Sequence, residues 1–111
     1  MMYQDVVIVI PAYEPDERLL ELLKNIRDKE NHAFDIVLVD DGSGLKFASL
    51  FATAQSNYAC HLQRHAENKG KGRTLKTAIS YILDNFPNSK GIVTIDSDGQ
   101  HTYEDIMKCL A

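Results

Sequence analysis

Ile92-Val93-Thr94-Ile95-Asp96-Ser97-Asp98-Gly99-Gln100-His101 decides how this chain is read. A short apolar run rich in β-branched residues suits a strand buried on both faces of a sheet. It ends in two carboxylates one residue apart. Continued as extended backbone, the run places Asp96 and Asp98 on one side and Ser97 on the other. Carboxylates held that close repel each other unless a cation lies between them. A hard divalent ion, Mg2+ or Mn2+, takes oxygen ligands and leaves room for phosphate oxygens. Gly99 permits a sharp turn, after which Gln100 can offer a neutral third oxygen. A solitary Asp-x-Asp is also an ordinary acidic turn, so the segments upstream have to choose between the two.

Three more segments of the same kind precede it. Residues 4–10 end in the apolar run Val6 to Ile10, which Pro11 is expected to stop. Residues 34–39 form a second run, ending in Asp40-Asp41-Gly42-Ser43-Gly44, and a shorter, mixed strand is expected at 58–64. Helical spacing separates them. Leu19, Leu22, Leu23 and Ile26 recur on one face of a first helix, with Pro15 in its first turn and Asp16 and Glu17 at its positive end. Residues 45–56 read as a second helix, with Leu45, Phe47, Ala48, Leu50 and Phe51 on its apolar side. Residues 72–86 read as a third, with Leu75, Ala78, Ile79, Ile82, Leu83 and Phe86 on one face and Pro87 at its end. A last helix opens at Thr102, where Asp105 completes a capping box. This alternation predicts an α/β fold: a Rossmann-like βα sandwich with a mainly parallel sheet and right-handed crossovers.

Ligands of such sheets sit beyond the carboxyl ends of the strands, near the switch in strand order. Four polar clusters lie at such ends: Pro11-Ala12-Tyr13-Glu14, Asp40-Asp41, the basic loop His65 to Arg73, and Asp96 with Asp98. An acidic pair holding a divalent cation suits a diphosphate. Lys69, Lys71 and Arg73 add positive charge, Gly70 and Gly72 allow close backbone approach, and the following helix start attracts anions. Asp40 or Asp41 can accept from the N–H edge of a nucleobase, and Tyr13 offers an aromatic face to base or ribose.

With 111 residues the chain fits one domain, and 44% hydrophobic with 25% charged residues is a globular composition. A net charge of −4 argues against nonspecific binding of nucleic acid or anionic membrane. Cys60 and Cys109 show no metal or disulfide spacing, which favours a reducing compartment. The apolar run at the start is too short for a signal peptide or a membrane span, so a cytoplasmic location is expected. His32, His61, His65 and His101 fit no ligand spacing and read as solvated loop histidines.

Val9-Ile10-Pro11-Ala12-Tyr13, Val39-Asp40-Asp41-Gly42-Ser43, Asn68-Lys69-Gly70-Lys71-Gly72 and Thr94 to His101 occur in order and at fitting spacing. Together they resemble the family 2 glycosyltransferases of GT-A fold, in the branch of dolichol-phosphate mannose and glucose synthases. The resemblance spans nearly all of the chain but only the N-terminal half of a family catalytic domain.

It implies a set of roles. Pro11, Ala12, Tyr13, Glu14, Asp40, Asp41, Lys71, Asp96, Ser97 and Asp98 would bind the nucleotide sugar, with Asp41 reading the base. Asp96, Asp98 and Gln100 would hold Mn2+ or Mg2+. The donor would be a UDP- or GDP-linked sugar, and the acceptor a polyprenyl phosphate or a saccharide, reached at the cytoplasmic face of a membrane. No residue matches a catalytic base, so residues 1–111 are expected to be the donor-binding part of an inverting enzyme, inactive alone. The last strand is expected to carry an open edge that a second copy can pair with as a homodimer. Glu14-Pro15 stands where the family more often has Asn-Glu, and Tyr103 where the branch often has Pro.

Other classes fit less well. A receiver-type phosphoacceptor domain carries its acidic pair after the first strand, whereas Asp40-Asp41 follow the second. A P-loop needs Ser or Thr directly after its Lys, where this chain has Gly72. A nucleotidyltransferase would show a glycine-rich loop after the first strand. A non-catalytic nucleotide-binding or assembly module stays open as the alternative.

Overall fold

Val6-Val7-Ile8-Val9-Ile10, all buried, lies at the centre of the sheet. The structure, a computed structural model, describes residues 6–30 and 34–98. His32, Gln100, His101, Cys109 and the helix expected from Thr102 lie outside the described residues.

Strand β1 (Val6–Ala12) pairs in parallel with β2 (Asp35–Asp41) on one side and with β4 (Gly91–Thr94) on the other, and β3 (His61–His65) pairs in parallel beyond β2. The order β3-β2-β1-β4 reverses direction between β1 and β4. Alternation assigns the faces. Ile8, Ile10, Ile36 and Leu38 pack on α1 (Arg18–Glu30) and α2 (Ala48–Tyr58), while Val7, Val9, Val37 and Val39 pack on α3 (Lys71–Asn85). The result is the α/β sandwich with a parallel sheet that the alternating pattern predicts.

Several boundaries differ from the expected ones. Strand β1 runs through Pro11 instead of stopping there. Val9 accepts the Ile95 N–H (3.0 Å), so Pro11, two residues on, turns its donor-less nitrogen to the same side, beyond the last β1–β4 pair Val9–Thr94. The proline therefore removes no ladder hydrogen bond. Helix α1 begins after Asp16, not at Pro15: the Asp16 carboxylate accepts the Arg18 N–H at 3.0 Å, as a capping residue does. A 3-10 turn, Leu45–Phe47, precedes α2, and Leu45, expected on the apolar side, is 94% exposed. Helix α2 ends where Ala59 takes a left-handed conformation (φ 55°), which delays β3 to His61. On α3 the buried stripe is narrower than the sequence pattern: Ala78 and Ile82 are buried, whereas Ile79 and Leu83 are exposed.

One buried charge ties the first two helices together. Arg27 of α1 donates to the carbonyls of Phe34 (2.7 Å), Tyr58 (2.8 Å) and Ala59 (3.3 Å), so it satisfies the carbonyls at the end of α2.

Candidate functional site

The reversal of strand order between β1 and β4 opens a cleft at the strands' carboxyl ends, where α/β sheets hold ligands. A cavity of about 280 Å³ lies there. Pro11, Ala12 and Tyr13 line it from β1, Asp41 from β2, Asn68, Gly70, Lys71 and Thr74 from the basic loop and the start of α3, and Asp96, Ser97 and Asp98 from beyond β4.

Eight of the ten residues expected to bind the nucleotide sugar thus meet in one cavity, joined by Gly70 but not by Lys69, Gly72 or Arg73. Two of the ten do not. Asp40 alternates to the other side of β2, where its carboxylate accepts the Ser43 N–H (2.9 Å) and lies 3.7 Å from Arg64. Glu14 is exposed outside the cavity, and its backbone N–H (φ 47°) donates to Ser43 Oγ at 2.8 Å. Ser43 therefore pins the Pro-Ala-Tyr-Glu loop to the end of β2. Beyond β4 the chain turns at Ser97 and Asp98, so extended alternation does not continue and Ser97 lines the cavity beside both carboxylates.

Asp41 is held from three sides. Its side chain is 6% exposed. Oδ1 accepts His65 Nδ1–H (2.7 Å) and the Lys69 N–H (2.9 Å), and Oδ2 accepts the Gly70 N–H (3.0 Å). Burial pushes this carboxyl up, but the His65 imidazole and the two loop N–H groups outweigh it and hold the carboxyl below its ordinary value. The other ring nitrogen of His65 lies 2.7 Å from the Thr77 hydroxyl. His65 is consequently a buried strut between β2 and α3 rather than a solvated loop histidine. His61 is likewise engaged: its ring meets Phe86 edge-on, with centroids 5.0 Å apart, and Nδ1 lies 3.2 Å from the Tyr81 hydroxyl.

Gly42 lets the basic loop close over β2. At φ 75° it lies so near the loop that a Cβ there would sit 2.2 Å from the Glu67 carbonyl carbon. Farther along, Gly70 precedes α3 at φ 90°, and Thr74 donates its hydroxyl to the Gly70 carbonyl at 2.8 Å. The positive end of a 15-residue helix therefore faces the cavity.

Positive charge already sits on the acidic pair. Lys71 Nζ lies 3.3 Å from Asp96 Oδ1, both side chains more than half exposed. Arg18, gripped by Asp16 at 3.0 Å, is close enough to Asp98 to feel its charge. Among the described residues no group of three or more His, Cys, Asp and Glu could enclose a metal ion. Two carboxylates on an open cavity, with an ammonium standing against one of them, suit a hard cation whose remaining ligands come from a bound phosphate.

His65, Asn68 and Thr74 are the site residues that sequence reasoning missed or undervalued. Parallel pairing sets Asp41 beside His65, although 24 positions separate them, and no spacing rule announces that. Asn68 donates to the Asp41 carbonyl (3.4 Å), and its place inside the Asn-Lys-Gly-Lys-Gly run was its only signal.

The family model described as Glycosyl transferase family 2 matches residues 7–111. An uncharacterized protein of Methanocaldococcus jannaschii is 38% identical over 104 residues, which cover 94% of this chain and 40% of that protein. The undecaprenyl-phosphate 4-deoxy-4-formamido-L-arabinose transferase of Pseudomonas paraeruginosa is 34% identical over 106 residues, covering 91% of this chain and 30% of the relative. Among solved structures, the mannosyltransferase PcManGT of Pyrobaculum calidifontis in complex with GDP-Man and Mn2+ superposes with a TM-score of 0.64 at 25% identity, over 85% of this chain and 27% of that one. TarS 1-349 of S. aureus in complex with UDP-GlcNAc gives a TM-score of 0.71 at 18% identity, over 95% and 30%, and shows the fold alone. The chain thus spans less than half the length of these curated relatives.

Proposed function

The chain belongs to glycosyl transferase family 2, and on that premise we propose that its cleft binds the nucleoside diphosphate of a sugar donor through a divalent cation, as the donor-binding part of an inverting glycosyltransferase. The observation that carries the reading is the single cavity joining the ends of β1 and β2, the start of α3 and the Asp96–Asp98 turn. Tyr13, 51% exposed at its lip, offers an aromatic face to the base or ribose. Lys71 and the start of α3 offer positive charge to phosphates. Asp96 and Asp98 would hold Mn2+ or Mg2+, with Gln100 as a further ligand by resemblance. A cation so placed neutralises charge developing on the leaving diphosphate. The complex of PcManGT with GDP-Man and Mn2+ supports both the nucleotide and the ion. We assign no base. The name of the Pseudomonas relative supports a polyprenyl phosphate as acceptor, at a membrane surface, over a saccharide. No helix among the described residues is long and apolar enough to cross a membrane.

Calorimetry with UDP, GDP and their sugars, with Mn2+ and with EDTA, tests this. Affinity should depend on the cation, and Asp98→Asn should remove that dependence while the fold persists. Equal affinity in Mn2+ and EDTA for the unaltered chain would overturn it.

A further inference from the structure

Lys71 and Asp96 stand in a relation that nucleotide binding must change. The ammonium of the first residue of α3 lies 3.3 Å from a carboxylate just beyond β4, and both line the cavity. Lys71 is 62% exposed and Asp96 52%, so neither side chain is packed in place. The pair offsets part of the negative charge that Asp96 and Asp98 bring to the turn, with Lys71 supplying the ammonium that reaches Asp96. A divalent ion on Asp96 must displace that ammonium. The displaced Lys71 would then be left beside a dication, which raises the cost of loading the ion alone. A diphosphate alone meets the opposite obstacle, because Asp96 and Asp98 repel it. When both arrive together, Lys71 exchanges its carboxylate for a phosphate, and the ion takes the carboxylate.

Building on the donor-binding reading, we infer that Lys71 is an internal counter-ion that guards Asp96 in the nucleotide-free protein and moves to the diphosphate when the cation binds, so that cation and nucleotide load as one unit. Coupling of this kind is reciprocal: the nucleotide tightens the ion as much as the ion tightens the nucleotide. It also predicts an inversion of sign. In the absence of nucleotide, removing the ammonium should help the ion. In its presence, the same change should hinder it.

The test measures Mn2+ affinity by electron paramagnetic resonance on the 111-residue chain and its Lys71→Met and Lys71→Arg variants, each with and without saturating GDP or UDP. Circular dichroism confirms that each variant is folded. Without nucleotide, Lys71→Met should bind Mn2+ roughly two- to five-fold more tightly than the unaltered chain, the range an exposed ion pair commands, and Lys71→Arg should not differ. With nucleotide, Lys71→Met should bind Mn2+ more weakly than the unaltered chain. Unaltered nucleotide-free affinity in Lys71→Met, or a change of the same sign in both states, overturns the counter-ion role while donor binding stands. An unaltered chain that binds no nucleoside diphosphate even with Mn2+ refutes donor binding and this inference with it.

Discussion

At Asp41 the carboxylate accepts two donors on Oδ1 and one on Oδ2, which leaves Oδ2 room for one more hydrogen bond. The same side chain can therefore meet a nucleobase while it holds the loop that carries Lys71. Asp41→Ala would release the Lys69 and Gly70 N–H groups, and each lost partner of this kind costs about 1–3 kcal/mol. Pyrophosphate binding should weaken along with UDP or GDP binding, as calorimetry with both ligands would show. A pyrophosphate affinity left intact means that the loop holds its shape without Asp41. The acid response has a definite sign. A carboxyl whose folded value is depressed contributes stability that is fully present above its unfolded value and lost as pH falls through the folded one. Below about pH 5 the urea midpoint of the unaltered chain should therefore drop more steeply than that of Asp41→Asn. Gly42 is the other sensitive position. A methyl group there meets backbone at 2.2 Å and in a left-handed conformation. Gly42→Ala should cost about 3 kcal/mol, from overpacking and backbone strain together. A chemical denaturation curve that matches the unaltered chain would show that the loop can lift off β2 freely.

Among the elements, α2 ends under strain and is held from outside. Ala59 sits at φ 55°, a conformation that costs a residue with a Cβ about 1–2 kcal/mol. Arg27 sustains it by gripping the Tyr58 and Ala59 carbonyls. Glycine is the usual residue at such a helix end. Ala59→Gly should stabilise the chain by about 1 kcal/mol or slightly less, once the extra freedom of glycine in the unfolded state is subtracted. Thermal and urea unfolding measure this, and a destabilised variant would mean that the Ala59 methyl makes packing contacts worth more than the strain. Helix α3 shows another property of elements. Its exposed Ile79 and Leu83 follow the helical period as well as Ala78 and Ile82 do, because periodicity reports a face and not how wide a neighbour covers it.

At the scale of the whole molecule, the sheet of the described residues has one central pair and two outer strands. Among the described residues β4 pairs only with β1. Ile92 lies level with Val7 and so points to the α3 side of the sheet, where it is 43% exposed. Ile79 and Leu83 are exposed on the helix of that same side. An open strand edge beside exposed apolar side chains favours pairing with another chain. A second copy is the simplest occupant, since a two-fold pairing closes the same surface on both. The chain should therefore dimerise or associate further with rising concentration. Light scattering across a dilution series checks this: a monomer up to roughly millimolar concentration, far above the micromolar range where open edges already promote association, would rule it out.

The succession of strands and helices, the burial of β1 on both faces, and the placing of the named polar clusters at strand ends all follow from the sequence. Helical periodicity is local, and continuous runs rich in β-branched residues such as Val6 to Ile10 and Ile36 to Val39 call for cover on both faces of a sheet. The sequence equally determines that Tyr13, Lys71 and Asp96 share a rim, because alternating βα connections put every strand's carboxyl end on the same side. Tertiary structure alone decides the rest. Register sets His65 beside Asp41, turning a loop histidine into a strut. The turn at Ser97 and Asp98 overrides the alternation expected there, and the end of the β1–β4 ladder lets Pro11 stay inside a strand. Asp40 and Asp41 are adjacent and chemically identical, yet a single step along β2 sends one to Arg64 and the other into the cavity. Each of these outcomes depends on a contact between residues distant in the chain, and such contacts leave no periodic trace in the sequence.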